Sequence, residues 1–159
     1  MNKLDRYDLN ILAEMQRDSR ISNQELAERI GLSPSPCSRR VKQLEDDGYI
    51  LRQVALLDRK KLGLTLTAYV LTGMDRHTPE RSENFESAIR KCPEVLECSL
   101  VTGVDADYQL KVVVADMDHY QKFLLGQLTR IEGVTSVRSS FVLNQVLSST
   151  ELPLEHLRG

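Results

Sequence analysis

Apolar residues recur every three or four positions in the first third of the chain, with polar residues between them. This spacing is that of amphipathic helices and predicts three of them, over roughly residues 5–17, 23–30 and 34–47. Gly31, between the second and third, suits the left-handed conformation that ends a helix in a tight turn. The residues suited to N-capping these helices are Asp5, Ser22 and Ser33. The pattern therefore predicts two steeply crossing helices, a helix-turn-helix unit.

The third predicted helix has an apolar side and a polar side. Cys37, Val41 and Leu44 fall at positions i, i+4 and i+7, so we expect them to face the core. Hydroxyl and cationic groups that can bond to phosphates and base edges fall elsewhere on this helix. Our candidate DNA-binding residues here are Ser33, Ser35, Ser38, Arg39, Arg40 and Lys42. A polar outer side is typical of any surface helix, but the preceding capped helix and glycine turn favour DNA binding.

An extended apolar stretch, residues 49–57, follows the third helix. It predicts a short wing or strand, with Arg52 available to a DNA phosphate. Residues 58–63 are polar and charged, which indicates a linker.

The hydrophobic period changes to two in the second half of the chain, which indicates half-buried strands. Strands are predicted over roughly residues 66–71, 95–102, 108–114 and 137–143. Helices are predicted after the first strand, capped by Thr78, and after the third, capped by Asp116 or Asp118. The order β-α-β-β-α-β predicts a ferredoxin-like α/β sandwich, so the whole chain belongs to the α+β class.

The face of this sheet that the helices leave uncovered is partly apolar. Tyr69, Leu71 and Val101 are expected to lie there among residues with hydroxyl groups. Because exposed apolar patches mark interfaces and a two-fold contact is self-complementary, we expect at least a dimer.

Charge supports a division near residue 63. Residues 1–63 hold twelve Lys and Arg against ten Asp and Glu, a balance of +2, and residues 64–159 hold nine against thirteen, a balance of −4. We therefore predict a winged helix-turn-helix domain at 1–50, a wing and linker at 51–63, and a ferredoxin-like oligomerisation domain at 64–159. Because a +2 excess is small for a nucleic-acid binder, we expect several copies to engage one DNA together.

The remaining composition excludes several classes. No apolar run approaches membrane-spanning length and no signal peptide opens the chain, so we expect a cytoplasmic protein, on the nucleoid when bound to DNA. The three histidines lie in polar or terminal settings without metal-ligand spacing, and there is no glycine-rich phosphate loop. We therefore expect neither an enzyme nor a cofactor or metal. The three cysteines, Cys37, Cys92 and Cys98, are expected to be small core residues.

Several sequence blocks, in this element order, resemble the Lrp/AsnC family of bacterial and archaeal transcription regulators, especially its branch that responds to leucine and other amino acids. The blocks are residues 4–8, 20–26, 31–37, 40–45, 55–58, 101–103, 107–108 and 115–117. The resemblance covers essentially the whole chain. It implies a dimer formed through the sheet domains, often assembled into tetramers or octamers around which DNA wraps.

The resemblance also implies an amino acid effector, leucine, methionine or a similar one, bound near the turn between the second and third strands. It points to Thr102, Gly103, Asp107 and Tyr108, with Ser139 or Ser140 of the last strand alongside. The family's usual spacing is Gly-x-x-Asp-Tyr, whereas three residues separate Gly103 from Asp107 here.

The chemistry of an amino acid zwitterion suits this turn. Asp105 or Asp107 can accept hydrogen bonds from the ammonium group, and the Gly103 backbone with nearby hydroxyls can donate to the carboxylate. Asp and Gly are also common in hairpin turns for conformational reasons alone. The chain is thus predicted to be a sequence-specific, amino-acid-responsive DNA-binding regulator. The alternative is an architectural, nucleoid-type DNA-binding protein without an effector.

Overall fold

The computed structural model describes residues 4–103 and 105–157. They divide into two compact units. One holds the described residues up to Leu56 together with those from Leu147 onward, and the other holds Leu57–Val146. The predicted division assigned 64–159 to a single domain, so the end of the chain is grouped differently in the structure. Each unit is described by itself.

Three helices form the first unit, and their bounds agree with the sequence pattern. They are α1, Arg6–Arg17, α2, Asn23–Ile30, and α3, Pro34–Asp46. Their facing sides bury a small apolar core made of Ile11, Leu26, Ala27, Ile30, Cys37 and Leu44. Gly31 ends α2 at φ 74°, the left-handed conformation that the turn between α2 and α3 requires.

The three predicted N-caps differ in strength. Asp5 forms a full capping box with Asp8, and the Ser22 hydroxyl accepts from the backbone N–H of Glu25 at 3.2 Å. Ser33 occupies the N-cap position of α3, but its hydroxyl accepts no capping hydrogen bond. An N-cap side chain bonds to the N–H at N2 or N3. Pro36, at N3, has no N–H, so Ser35 at N2 is the one donor left, and the Ser33 hydroxyl does not bond to it.

The strand expected within residues 49–57 is absent. Residues 51–57 have no regular secondary structure and all are exposed. A strand exists only when its backbone pairs with a neighbour, and no other described segment pairs with this one. Apolar residues do recur along this stretch, but its backbone forms no strand pairing with another described segment of the chain.

The C-terminal segment contacts α1. The Gln16 amide donates to the carbonyl of Leu152 at 3.0 Å and accepts from the N–H of the same residue at 2.9 Å. An ion pair between Arg17 and Glu151, at 3.1 Å, lies beside it. These contacts explain why the end of the chain groups with the helices rather than with the sheet.

The second unit is the predicted sandwich of two helices on an antiparallel sheet. Its elements are β1, Leu66–Met74, α4, Pro79–Ile89, β2, Val95–Leu100, β3, Tyr108–Val114, α5, Met117–Gly126, and β4, Val134–Phe141. The strand order is β2-β3-β1-β4, as in a ferredoxin-like fold. Phe85 and Ile89 of α4 and Tyr120 and Phe123 of α5 are buried in a core with alternate residues of β1 and β3.

Two predicted details differ in the structure. Leu143, expected at the end of β4, lies beyond the strand and is almost fully exposed. Cys37 and Cys92 are buried as predicted, but Cys98 is exposed. The prediction for Cys98 was wrong because β2 is an edge strand, so the sheet beside it is poorly covered.

Candidate nucleic-acid interface and ligand-binding region

The third helix is fixed to the rest of the first unit by its buried side. Cys37 and Leu44 are almost completely buried against α1 and α2. A further tie lies at its start, where the Asn23 side chain donates to the carbonyl of Pro34 at 2.8 Å. The core and this hydrogen bond together set the direction in which the opposite side of α3 projects.

That opposite side is free for a partner. Ser33, Ser35, Ser38, Arg39 and Lys42 are all exposed. Arg39 and Lys42 make no ion pair with any residue that the structure describes, so both cations are available to phosphates. The backbone at the start of α3 offers few donors. Because Pro34 and Pro36 lack N–H groups, Ser35 carries the one amide donor among the first three helical positions.

Arg40 is placed differently from its two basic neighbours. Its Nη1 lies 2.7 Å from Asp8 and 2.8 Å from Asp5, and its Cζ lies 5.5 Å from the ring centre of Tyr7. The hydrogen bond to Asp8 raises the pKa of Arg40 further, so its charge is permanent. These contacts join α3 to the start of α1. The sequence pattern did not predict this cluster, although Asp5 and Asp8 are acidic residues at the start of a predicted helix.

Arg52, the candidate phosphate contact of the wing, lies in the exposed segment without secondary structure. Its side chain has no ion pair within the described part of the chain. The structure therefore leaves it as accessible as Arg39 and Lys42, without the support of a helix.

The turn between β2 and β3 brings four of the six candidate effector residues into one loop. Thr102 and Gly103 are exposed, and Gly103 adopts φ 84°, a conformation that favours glycine. Asp105 is fully exposed, and both its carbonyl and its carboxylate lie beside the Arg138 guanidinium, the carboxylate at 3.6 Å. Asp107 completes the set at the start of β3.

The Asp107 carboxylate already has partners on both oxygens. Its Oδ2 accepts from the backbone N–H of Met74 at 2.6 Å, and its Oδ1 lies 3.2 Å from Nδ1 of His77. The Asp107 backbone N–H in turn donates to the carbonyl of Thr72 at 2.9 Å. Asp107 thus fixes the loop to the end of β1, and Asp105 is the carboxylate that faces solvent.

The other two candidates face the helix layer instead. Tyr108 is buried, its ring lies 4.4 Å from that of Phe85, and its hydroxyl donates to Glu86 at 3.2 Å. Burial raises the pKa of Tyr108, so the side chain is neutral. The hydroxyl of Ser139, on β4, is hydrogen-bonded to the hydroxyl of Tyr120. Because both side chains contact residues of the helix layer, Tyr108 and Ser139 do not face the solvent-exposed loop.

Comparison with known proteins identifies both units. Residues 67–152 match the family model of the Lrp/AsnC ligand binding domain, and residues 4–50 match that of a winged helix-turn-helix DNA-binding domain. The chain belongs to the Lrp/AsnC family. Its members are DNA-binding transcription regulators with a ligand-binding domain, not enzymes. The predicted fold class is thereby confirmed, a winged helix-turn-helix followed by an α/β sandwich.

Individual Lrp/AsnC proteins are similar over almost the whole chain. The leucine-responsive regulatory protein of Klebsiella pneumoniae is 45% identical over 152 residues, which are 96% of this chain and 92% of that protein. A transcriptional regulator from Neisseria meningitidis, solved in complex with L-Met, is 42% identical, with a TM-score of 0.93 over 97% of this chain and 99% of the other. An AsnC family regulator from Agrobacterium tumefaciens is 38% identical, with a TM-score of 0.91 over 96% and 99%.

No helix within residues 4–103 and 105–157 is both long and apolar enough to cross a membrane. The same residues contain no cluster of His, Cys, Asp and Glu side chains that could hold a metal ion.

Proposed function

We propose that this Lrp/AsnC regulator binds specific DNA sites as a homo-oligomer, and that an apolar amino acid such as leucine or methionine alters its assembly or its DNA affinity. The observation that carries the proposal is the similarity, over almost the full chain, to a regulator solved with L-Met and to leucine-responsive regulatory proteins. As a DNA-binding protein it acts in the cytoplasm, on the nucleoid.

The DNA contacts in this proposal come from the exposed side of α3. Arg39 and Lys42 bind phosphates or base edges, Ser35 and Ser38 donate hydrogen bonds beside them, and Ser33 adds a hydroxyl that no capping bond occupies. Arg52 adds a phosphate contact next to the helix. Arg40 supports the interface indirectly, since Asp5 and Asp8 hold its guanidinium against α1.

The effector in this proposal binds at the loop between β2 and β3. Asp105 accepts hydrogen bonds from its ammonium group, because both Asp107 oxygens are already engaged. The Thr102 hydroxyl and the Gly103 backbone donate to its carboxylate. Tyr108 and Ser139 act from within the fold by holding the strands that carry the loop.

Assembly in this proposal begins at the uncovered face of the sheet, as a dimer. Tyr69 is 38% exposed and Leu71 is half-buried on that face, where β1 lies between Gln109 and Lys111 of β3 and Arg138 and Ser140 of β4. A second copy would bury these apolar side chains and pair the two DNA-binding units. Larger assemblies, tetramers or octamers, add further contacts.

A thermal-melting screen against the twenty amino acids tests the effector. A ligand that binds only the folded protein, at a hundred times its Kd, stabilises it by about 2.7 kcal/mol. For a protein of this size, the melting temperature should therefore rise by several degrees for leucine, methionine or a close analogue. Asp105→Asn should abolish the shift, and Glu83→Asn, an exposed carboxylate on α4, should leave it intact. No shift with any amino acid would contradict the effector and favour an architectural protein.

A further inference from the structure

The first turn of α3 has few ties within its own helix. The Ser33 hydroxyl makes no capping hydrogen bond, and Pro34 and Pro36 have no N–H groups. Cys37 is the first residue of this helix that is buried, and the residues before it are exposed or half-buried. The turn that carries Ser35 therefore depends on a contact from outside the helix to hold its position.

Asn23, at the start of α2, provides such a contact. Its Nδ2 donates to the carbonyl of Pro34 at 2.8 Å, and among the described residues this is the one side-chain hydrogen bond between α2 and α3. The start of α2 is itself firmly held, because the Ser22 hydroxyl accepts from the Glu25 N–H and Leu26 is buried in the core. The Asn side chain has only two rotatable bonds, so this hydrogen bond closely restricts the distance between the two helix starts.

Contacts with base edges are more sensitive to the position of this turn than contacts with phosphates are. A hydrogen bond to a base edge weakens steeply when its distance or angle leaves the preferred range. Long side chains such as Arg39 and Lys42 can follow a phosphate through a small shift of the helix, whereas the short hydroxyl side chains of Ser35 and Ser38 cannot. A loosened first turn should therefore reduce sequence discrimination before it reduces non-specific affinity.

We propose that Asn23 is a positioning residue for sequence-specific DNA recognition. Its amide holds the first turn of α3 where Ser35, Ser38 and Arg39 reach base edges, and it acts on DNA only through that helix. The inference rests on the proposed function, in which α3 is the DNA-binding helix. A direct bond from Asn23 to a phosphate is the competing role, and loss of a phosphate contact weakens binding about uniformly across sequences.

Two variants of the full-length protein remove the amide donor. Asn23→Ala shortens the side chain, and Asn23→Asp keeps its shape and adds a favourable charge at the start of α2. Fluorescence anisotropy at fixed salt compares a DNA site selected from a random pool with a scrambled duplex of the same length. The ratio of the two affinities should fall about 3-fold to 10-fold per DNA-binding unit, the range for one lost hydrogen bond. The charge of the second variant weakens both duplexes alike and cancels in the ratio.

Gln24→Ala is the matched control. It truncates an exposed amide on the next residue of α2, which makes no hydrogen bond to α3 among the described residues. The ratio of the two affinities should stay unchanged. Both Asn23 variants should melt within a few degrees of the original protein, since the lost hydrogen bond is exposed.

Two results would overturn the proposal. Equal losses on the two duplexes would make Asn23 a phosphate contact or a residue that only stabilises the fold, and an unchanged ratio would show that it does not position α3. The double variant Arg39→Ala, Lys42→Ala, measured in the same assay, separates this inference from the proposed function. If the double variant leaves DNA affinity unchanged, α3 is not the DNA-binding helix. If it weakens binding while the Asn23 variants keep the original ratio, this inference alone fails.

Discussion

Leu71→Glu should convert the protein to a monomer and lower its DNA affinity at least a hundredfold. Leu71 lies on the sheet face that the two helices leave open, paired with Arg138 of β4 and Gln109 of β3. A carboxylate there would have to be desolvated when a second copy covers it. Joining two DNA-binding units raises affinity by about 10² to 10⁴ through effective concentration, and a monomer forfeits this gain.

The measurement is light scattering at micromolar concentration, followed by a DNA titration at fixed salt. Leu125→Glu is the matched control, because Leu125 is 53% exposed on α5, on the helix side of the sheet. It should leave the dimer and its DNA affinity intact. A Leu71→Glu protein that keeps the wild-type mass would show that assembly uses another surface.

The double variant Arg39→Ala, Lys42→Ala should weaken DNA binding by about 2 kcal/mol per DNA-binding unit while its melting temperature stays within about a degree of the original. Both side chains are exposed and unpaired in the described structure, so their removal costs the fold little. Each lost phosphate contact should also lower the slope of log affinity against log salt by about one. Unchanged affinity and slope would remove α3 as the DNA-binding surface.

Arg40→Ala provides the contrast within the same helix. Its loss leaves Asp5 and Asp8 without their cation, which should destabilise the first unit by about 1 kcal/mol, since the pair is only partly buried. The salt slope of DNA binding should stay unchanged. Partial burial raises the pKa of Asp5, but hydrogen bonds from the Asp8 backbone N–H and the Arg40 guanidinium outweigh this effect. The pKa of Asp5 is therefore lowered overall. This stabilisation is therefore present above the ordinary Asp pKa of about 3.9 and is lost as the pH falls through the folded-state value.

The elements were predictable because each carries its signal locally. The N-capping residues, Gly31 and the apolar stripe of α3 predicted the helical unit. The change to a hydrophobic period of two predicted the strands. The missing capping hydrogen bond at the start of α3 also has a local cause. Ser33 satisfies the rule for an N-cap residue, but Pro36, three positions later, removes one of its two possible donors.

The partners of individual side chains were not predictable from the sequence, because they depend on residues far apart in the chain. Arg40 looked like a third basic residue for DNA until the fold placed Asp5 and Asp8 beside it. Tyr108 adjoins Asp107 in sequence, but alternation along β3 sends its ring into the core.

The central claim is that an amino acid and DNA bind to this protein with linked free energies. The most direct test is a fluorescence anisotropy titration of DNA sites selected from a random pool, with and without a saturating amino acid identified by the melting screen. Coupling of 1–3 kcal/mol, the usual range, predicts a change in DNA affinity of about 5-fold to 150-fold, and DNA should change the amino acid affinity by the same factor. Identical DNA affinity and identical assembly in the presence and absence of every amino acid would contradict the account.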